Sequence, residues 1–387
     1  MTVNQIYSIL NSITSEILGS SEIVNEDLSN VVDVGTEIFN SSDVDNYVKS
    51  LVNHIGKVIF VNRKYNGSVP SILMDSWEYG SVCEKIRAEL PTATENETWE
   101  LTNGQSYAQD VFYKPTISAK FFNNKVTFEI PMSFTELQVK ESFSNAGQLN
   151  SFISMIYNSV ENAMTVKMDS LIMRTINNFI GTTFNAEFSD AIYTGVTSTK
   201  AVNLLYEYNT KYGTTLTADE ALTTPEFIRF SSYRMGLYTD RMNKISTLFN
   251  IGATERFTPN DRLHVVLLSD FKNACGAYLE SDTFHNEYIA LPKAESVPYW
   301  QGSGTDYSFD SVSSINVTIS NGDSTATVNA TGILGIMFDS DACGVCNTDR
   351  RVTTAYNAKA EFFNNFYKFD ASYFNDTNEN FVVFYAA

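Results

Sequence analysis

One stretch limits what this chain can fold into: residues from about 145 to 180 carry a single long helical pattern. Leu149, Phe152, Ile153, Ile156, Val160, Ala163, Met164, Met168, Leu171, Ile172, Ile176, Phe179 and Ile180 recur at steps of three and four, the spacing of one helix face. No proline interrupts the run. Ser144 stands where an N-cap would sit, and Gly181 where a left-handed C-terminal cap favours glycine. About 36 residues rising ~1.5 Å each make a rod of roughly 54 Å. A compact chain of this length has a radius of gyration of only about 21 Å. The pattern therefore predicts a flattened or elongated subunit crossed by one element.

The detail of the stripe adds to this. Leu149, Val160 and Leu171 recur every eleven residues, as do Phe152 with Ala163 and Ile153 with Met164. Eleven residues in three turns lies near the natural period of a straight helix, whereas a coiled coil keeps a period of seven. Met155, Val166 and Met173 widen the apolar surface beyond one face. Two readings fit: a long core helix of an ordinary domain, or a straight spine with sheet on one flank and a partner on the other.

With 387 residues the chain can bury a sizeable core and hold two or three subdomains. Twenty-six Lys and Arg against 45 Asp and Glu leave a net charge of −19, which argues against a protein whose main work is neutralising nucleic-acid phosphates. The N-terminus lacks a secretory pattern, and no apolar run reaches the roughly 18 residues of a membrane span. Cys83, Cys275, Cys343 and Cys346 are too scattered for a disulfide framework. These features predict a protein made and kept in the cytosol, with no membrane partner.

Residues 1–60 read as an arm. Ile6, Ile9, Leu10, Ile13, Ile17 and Leu18 suggest a short amphipathic helix, and Val44, Tyr47, Val48, Leu51, Val52 and Ile55 a second. Such pieces cannot form a core alone and must dock elsewhere. A β-rich run over 57–61 opens the folded body, Trp77 and Trp99 are candidate anchors, and residues 83–87 read as a short helix or strand. Residues 111–122 and 125–134 are two strand candidates joined by Asn123-Asn124, a plausible two-residue hairpin turn because asparagine tolerates positive φ. A long two-stranded ribbon is marginal alone and needs a surface to lie on. Two ordinary strands of a larger sheet are the other reading.

Beyond the long helix the pattern is mixed. Helices are expected over 198–212, 225–248 and 270–279, and buried strands over 263–268 and 333–338. Strands over 312–319 and 326–331 flank Asn321-Gly322, a hairpin signal. An aromatic, strand-favouring tail runs from 352 to 384.

Chemistry is sparse. Cys343 and Cys346 have redox or zinc-ligand spacing, but no second pair accompanies them, and a loop with idle thiols is the plainer reading. His54, His264 and His285 lack a partner motif for nucleophilic catalysis. Asp339 and Asp341 are too few for a calcium loop, and Gly302-Ser303-Gly304 lacks the third glycine of a phosphate cradle. No catalytic residue, cofactor or metal is expected.

The order of elements, an arm, an extended hairpin, a long helix, an α/β body and a returning β segment, resembles the major capsid proteins of tailed bacteriophages with the Hong Kong 97-type fold. The stretches 57–65 (KVIFVNRKY), 128–136 (FEIPMSFTE), 349–357 (DRRVTTAYN), 361–365 (EFFNN) and 373–376 (YFND) look like those of phages of Gram-positive hosts.

The resemblance implies an α+β fold with an N-terminal arm at 1–60, the start of a peripheral domain at 61–110, an extended hairpin loop at 111–135, a spine helix at 136–184, an axial domain at 185–345 and a returning β segment of the peripheral domain at 346–387. It makes Phe121, Asn123, Asn124 and Lys125 candidate subunit-interface residues. It implies a structural shell protein of the virion that assembles with itself as pentamers and hexamers in the host cytoplasm. Implied partners are a separate scaffolding protein, portal and head-completion proteins, and packaged double-stranded DNA contacted non-specifically. Same-fold nanocompartment shells and an unrecognised α+β enzyme are the alternatives.

Overall fold

Alternating apolar residues that meet across strands, and one helix long enough to reach both main sheets, organise the chain. The computed structural model describes residues 69–74, 83–91, 112–188, 193–279, 294–301, 312–321 and 324–387, with isolated positions between 7 and 51 and between 93 and 110. In chain order the strands and helices are β1 (Leu73–Met74), β2 (Cys83–Ala88), β3 (Ile117–Phe122), β4 (Lys125–Thr135), α1 (Glu136–Ser142), α2 (Ala146–Glu187), β5 (Ala201–Asn203), α3 (Leu204–Tyr212), α4 (Ala218–Ala221) and α5 (Pro225–Met242). There follow β6 (Leu263–Leu268), α6 (Ser269–Leu279), β7 (Glu295–Val297), β8 (Ile315–Asn321), β9 (Ser324–Ala330), β10 (Ile333–Asp339), β11 (Cys343–Asn357), β12 (Phe362–Asn375) and β13 (Phe381–Tyr385).

The strands form a four-stranded sheet in the order β1-β11-β12-β4, a five-stranded sheet in the order β5-β13-β10-β6-β7, and the two ribbons β2–β3 and β8–β9. In the first sheet one face is written residue by residue. Val126, Phe128, Ile130 and Phe134 of β4 lie opposite Ala371, Phe369, Tyr367 and Phe363 of β12. The Phe128 and Phe369 rings stand 5.1 Å apart, and Phe134 meets Phe152 of α2 edge-on at 5.5 Å. Pro131 is tolerated in β4 because that strand is the sheet edge. In the second sheet β10 and β13 are buried along their whole lengths, as continuous apolar runs require.

The long helix is present and longer than its pattern: α2 has 42 residues, about 63 Å at ~1.5 Å each. Both expected caps move. Asn145, not Ser144, is the N-cap, and its side chain accepts a hydrogen bond from the Gln148 amide at 2.8 Å. Gly181 does not end the helix; it is buried inside it, where a β-carbon would meet Val317 Cγ2 of β8 at 2.5 Å. The helix ends at Glu187, with Phe188 as its C-cap. Up to Met168 it buries one stripe, and from Leu171 onward nearly every side, because it packs against both sheets and the β8–β9 ribbon. Met155 and Val166 stay exposed, while Met173 is buried.

Other expectations shift. The helix expected over 198–212 begins as strand β5, paired in parallel with β13, before α3 starts at Leu204. Cys343 and Cys346 lie in β11 and not in a loop, where Val345 and Cys346 pair in parallel with β1. The tail divides: β11 and β12 belong to the four-stranded sheet, whereas β13 inserts between β5 and β10 in the five-stranded one. A register of Asn321 with Ser324 gives the expected short β8–β9 hairpin. In the arm, Leu10, Ile13, Val24, Val34 and Leu51 join the buried core, as docking elsewhere demands. The expectations for 57–61, Trp77, Trp99, His54 and His285 lie outside the described residues.

Candidate assembly surfaces

The proposed Asn123-Asn124 hairpin is not formed. β3 pairs antiparallel with β2, from Cys83 opposite Phe122 to Ala88 opposite Ile117, and β4 pairs with β12 in a different sheet. Asn123 and Asn124 form an exposed corner between the two, and the Asn124 carbonyl accepts from the Tyr373 amide at 3.2 Å. The local pattern was that of two strands, but each takes a partner remote in sequence. The extended ribbon is therefore β2–β3.

Period two gives this ribbon two unlike faces. One carries Ile86, Ile117 and Phe121, which are 67%, 63% and 62% exposed, with Ala88, Ala119 and the exposed Glu84, directly opposite Phe121, beside them. Phe121 thus stands on an open, mainly apolar face that also carries one carboxylate. The other face carries Lys85, Arg87, Lys120 and the buried Phe122, and lies on the body. Lys85 and Lys120 reach Asp376 at 3.4 and 3.2 Å; Arg87 pairs with both Asp376 and Glu379. Lys85 Nζ also sits 4.7 Å from the Phe374 ring centroid. Burial opposes the charged form of Asp376, yet Lys85, Lys120 and Arg87 together hold its carboxyl below the usual range. For Glu379 burial wins over Arg87 and Arg256, and its carboxyl is raised. A cavity of about 290 Å³ between ribbon and body is lined by Arg87, Leu90, Ser118, Arg256 and Asn378 among others.

Lys125, the remaining candidate, is half-committed to its own subunit: its ammonium lies 2.9 Å from Asp370. Arg351 reaches the same carboxylate at 2.9 Å, and Thr127 donates to it at 2.6 Å. Burial works against the Asp370 charge, but these three donors outweigh it and hold the carboxyl well below its ordinary value.

Cys275, Cys343 and Cys346 are buried inside packing, and His264 is half-buried. Burial pushes Cys275 up to about 11 and Cys343 up to about 12, so both stay protonated thiols at neutral pH. His264 is lowered by burial and stacks against Phe338 at 5.6 Å. Among the described residues no group of His, Cys, Asp and Glu could hold a metal ion, and no helix is long and apolar enough to cross a membrane. Sequence reading missed the Asp376 cluster and the Ile86–Ile117 face. A signal was present in β2, where Lys85 and Arg87 alternate with Glu84, Ile86 and Ala88.

The family profile described as Phi29-like phage major capsid protein matches residues 10–385. Among solved structures, a chain of the capsid structure of Staphylococcus phage Andhra is similar with a TM-score of 0.52 at 10% identity, covering 84% of this chain and 86% of that one. A chain in the structure of head fiber and inner core protein gp22 of native bacteriophage P68 is similar with a TM-score of 0.51 at 7% identity, with coverage of 84% and 86%. No curated protein matches.

Proposed function

Because this chain belongs to the Phi29-like phage major capsid protein family, we propose that its β2–β3 ribbon and long helix build the contacts of a closed icosahedral shell. The protein is a structural component of the phage capsid, with the Hong Kong 97-like capsid fold, and it assembles with copies of itself. The ribbon serves as the extended loop over an adjacent subunit. α2 and the four-stranded sheet form the peripheral domain, and the five-stranded sheet, including β13, forms the axial domain around five-fold and six-fold positions.

The observation that carries this reading is the exposed cluster of Ile86, Ile117 and Phe121 on one face of a ribbon too slight to stand alone. Subunits meet as pentamers and hexamers, with a separate scaffolding protein, portal and head-completion proteins as further partners, in the host cytoplasm. The shell encloses double-stranded DNA without sequence-specific contacts. A net charge of −19 suits that role, since a strongly basic lining would hold the genome too tightly. The role involves no catalytic step. Electron microscopy of the purified full chain, with its scaffold where needed, is expected to show closed shells whose capsomers have five-fold and six-fold averages. Only monomers or small oligomers under every assembly condition would sink the reading.

A further inference from the structure

Two chain crossings join the sheets side by side. Residues 340–342 lead from β10 to β11, and residues 376–380 from β12 to β13. The segment before β6 closes over them. Gly252 donates to the Thr377 carbonyl at 2.8 Å, Thr254 Oγ1 to the Asn378 carbonyl at 2.7 Å, and Thr258 Oγ1 to Asp339 at 2.8 Å. Asp376 and Asn380 are wholly buried there. The charges around the crossing are Arg256, which faces Glu379 at 3.5 Å, the Arg262–Asp341 pair, Asp339 and the rim residue Glu255.

The β2–β3 ribbon comes down on this crossing through charge. Lys85, Arg87 and Lys120 all converge on the one carboxylate of Asp376, and the apolar part of the seam is Phe122 against Phe374 at 5.2 Å. The register makes the dependence sharper. Lys85 and Lys120 are directly opposite each other across the ribbon, a like-charge pair that destabilises an antiparallel ladder unless an anion lies between them. Asp376 is that anion.

We propose that Asp376 is the lock of a hinged strap: the ribbon is held on the double crossing by this carboxylate, and losing its charge frees the ribbon while both sheets stay folded. A seam of ion pairs can part without opening a hydrophobic core, so the ribbon belongs to the low-stability end of the molecule. Release would expose three repelling cations and leave the strap's apolar face free to change its angle against the body.

Hydrogen–deuterium exchange on the full chain tests this. In Asp376→Asn, the amides of β2 and β3 are expected to exchange at least about tenfold faster, while those of β6, β10 and β13 keep their protection. The charge-reversed pair Lys85→Glu with Lys120→Glu changes no residue of the crossing itself, only the ribbon cations that bond to it, and is expected to release the ribbon in the same way. Ribbon-only release in the charge-reversed pair, with the ribbon also released in Asp376→Asn, supports the lock. Ribbon protection retained in either variant, or protection lost throughout both sheets in the charge-reversed pair, overturns the lock. Shell formation does not enter the measurement, so the result stands apart from the assembly reading above.

Discussion

Gly181 of α2 lies directly under Val317 of β8, so close that a β-carbon on the glycine would fall 2.5 Å from Val317 Cγ2 and 3.4 Å from Ile319 Cγ2. The β8–β9 ribbon thus rests on the backbone of the long helix. Alanine favours a helix interior over glycine by about 1 kcal/mol. Gly181→Ala is nevertheless expected to destabilise the subunit by roughly 1–3 kcal/mol, because overpacking a close contact outweighs propensity. Thermal unfolding reads this directly, and a raised Tm would show that the ribbon can shift to make room.

Deleting Asn123 and Asn124 is expected to damage folding. In a hairpin tip such a deletion would be mild, but here the pair spans the gap between two sheets and Asn124 anchors to Tyr373. β3 and β4 would be pulled against registers fixed by β2 and β12. A deletion variant that unfolds at the wild-type temperature would show that the corner is slack.

Ile86→Ser with Phe121→Ser is expected to leave subunit stability within about 0.5 kcal/mol, since both side chains face solvent in the isolated chain. The yield of closed shells, counted by electron microscopy, should fall sharply. Equal shell yields would remove the ribbon's outer face from the assembly surface.

Asp370→Asn is expected to cost about 1–3 kcal/mol at neutral pH, the scale of hydrogen bonds from charged partners. The folded-state carboxyl titrates below the unfolded one, so its contribution is complete above about pH 4 and shrinks as pH falls below that value. Denaturant unfolding should therefore show a gap between wild type and variant that is full at pH 7 and narrows in acid. A gap independent of pH would mean that the aspartate acts through shape alone.

What the amino-acid order determined by itself is what neighbours along the chain decide. The three- and four-residue rhythm from Leu149 to Ile180 specifies a helix because each turn's apolar residue lies on one face whatever it later touches. Val265 to Leu268, Ile333 to Phe338 and Phe381 to Phe384 read as buried strands for the same local reason. The phage-capsid resemblance was legible too, in short stretches such as 128–136.

Partnership was not legible. Residues 117–122 and 125–135 alternate equally well whether they pair with each other or with β2 and β12, since the period of a strand carries no address for its partner. Gly181 reads as a helix end until Val317, remote in sequence, occupies the space a side chain would need. Asp376 is only the last residue of the stretch 373–376 until three cations from the ribbon close on it. Local periodicity chose the elements; burial and charge compensation between segments separated in sequence chose how they meet, and only the tertiary structure holds those distances.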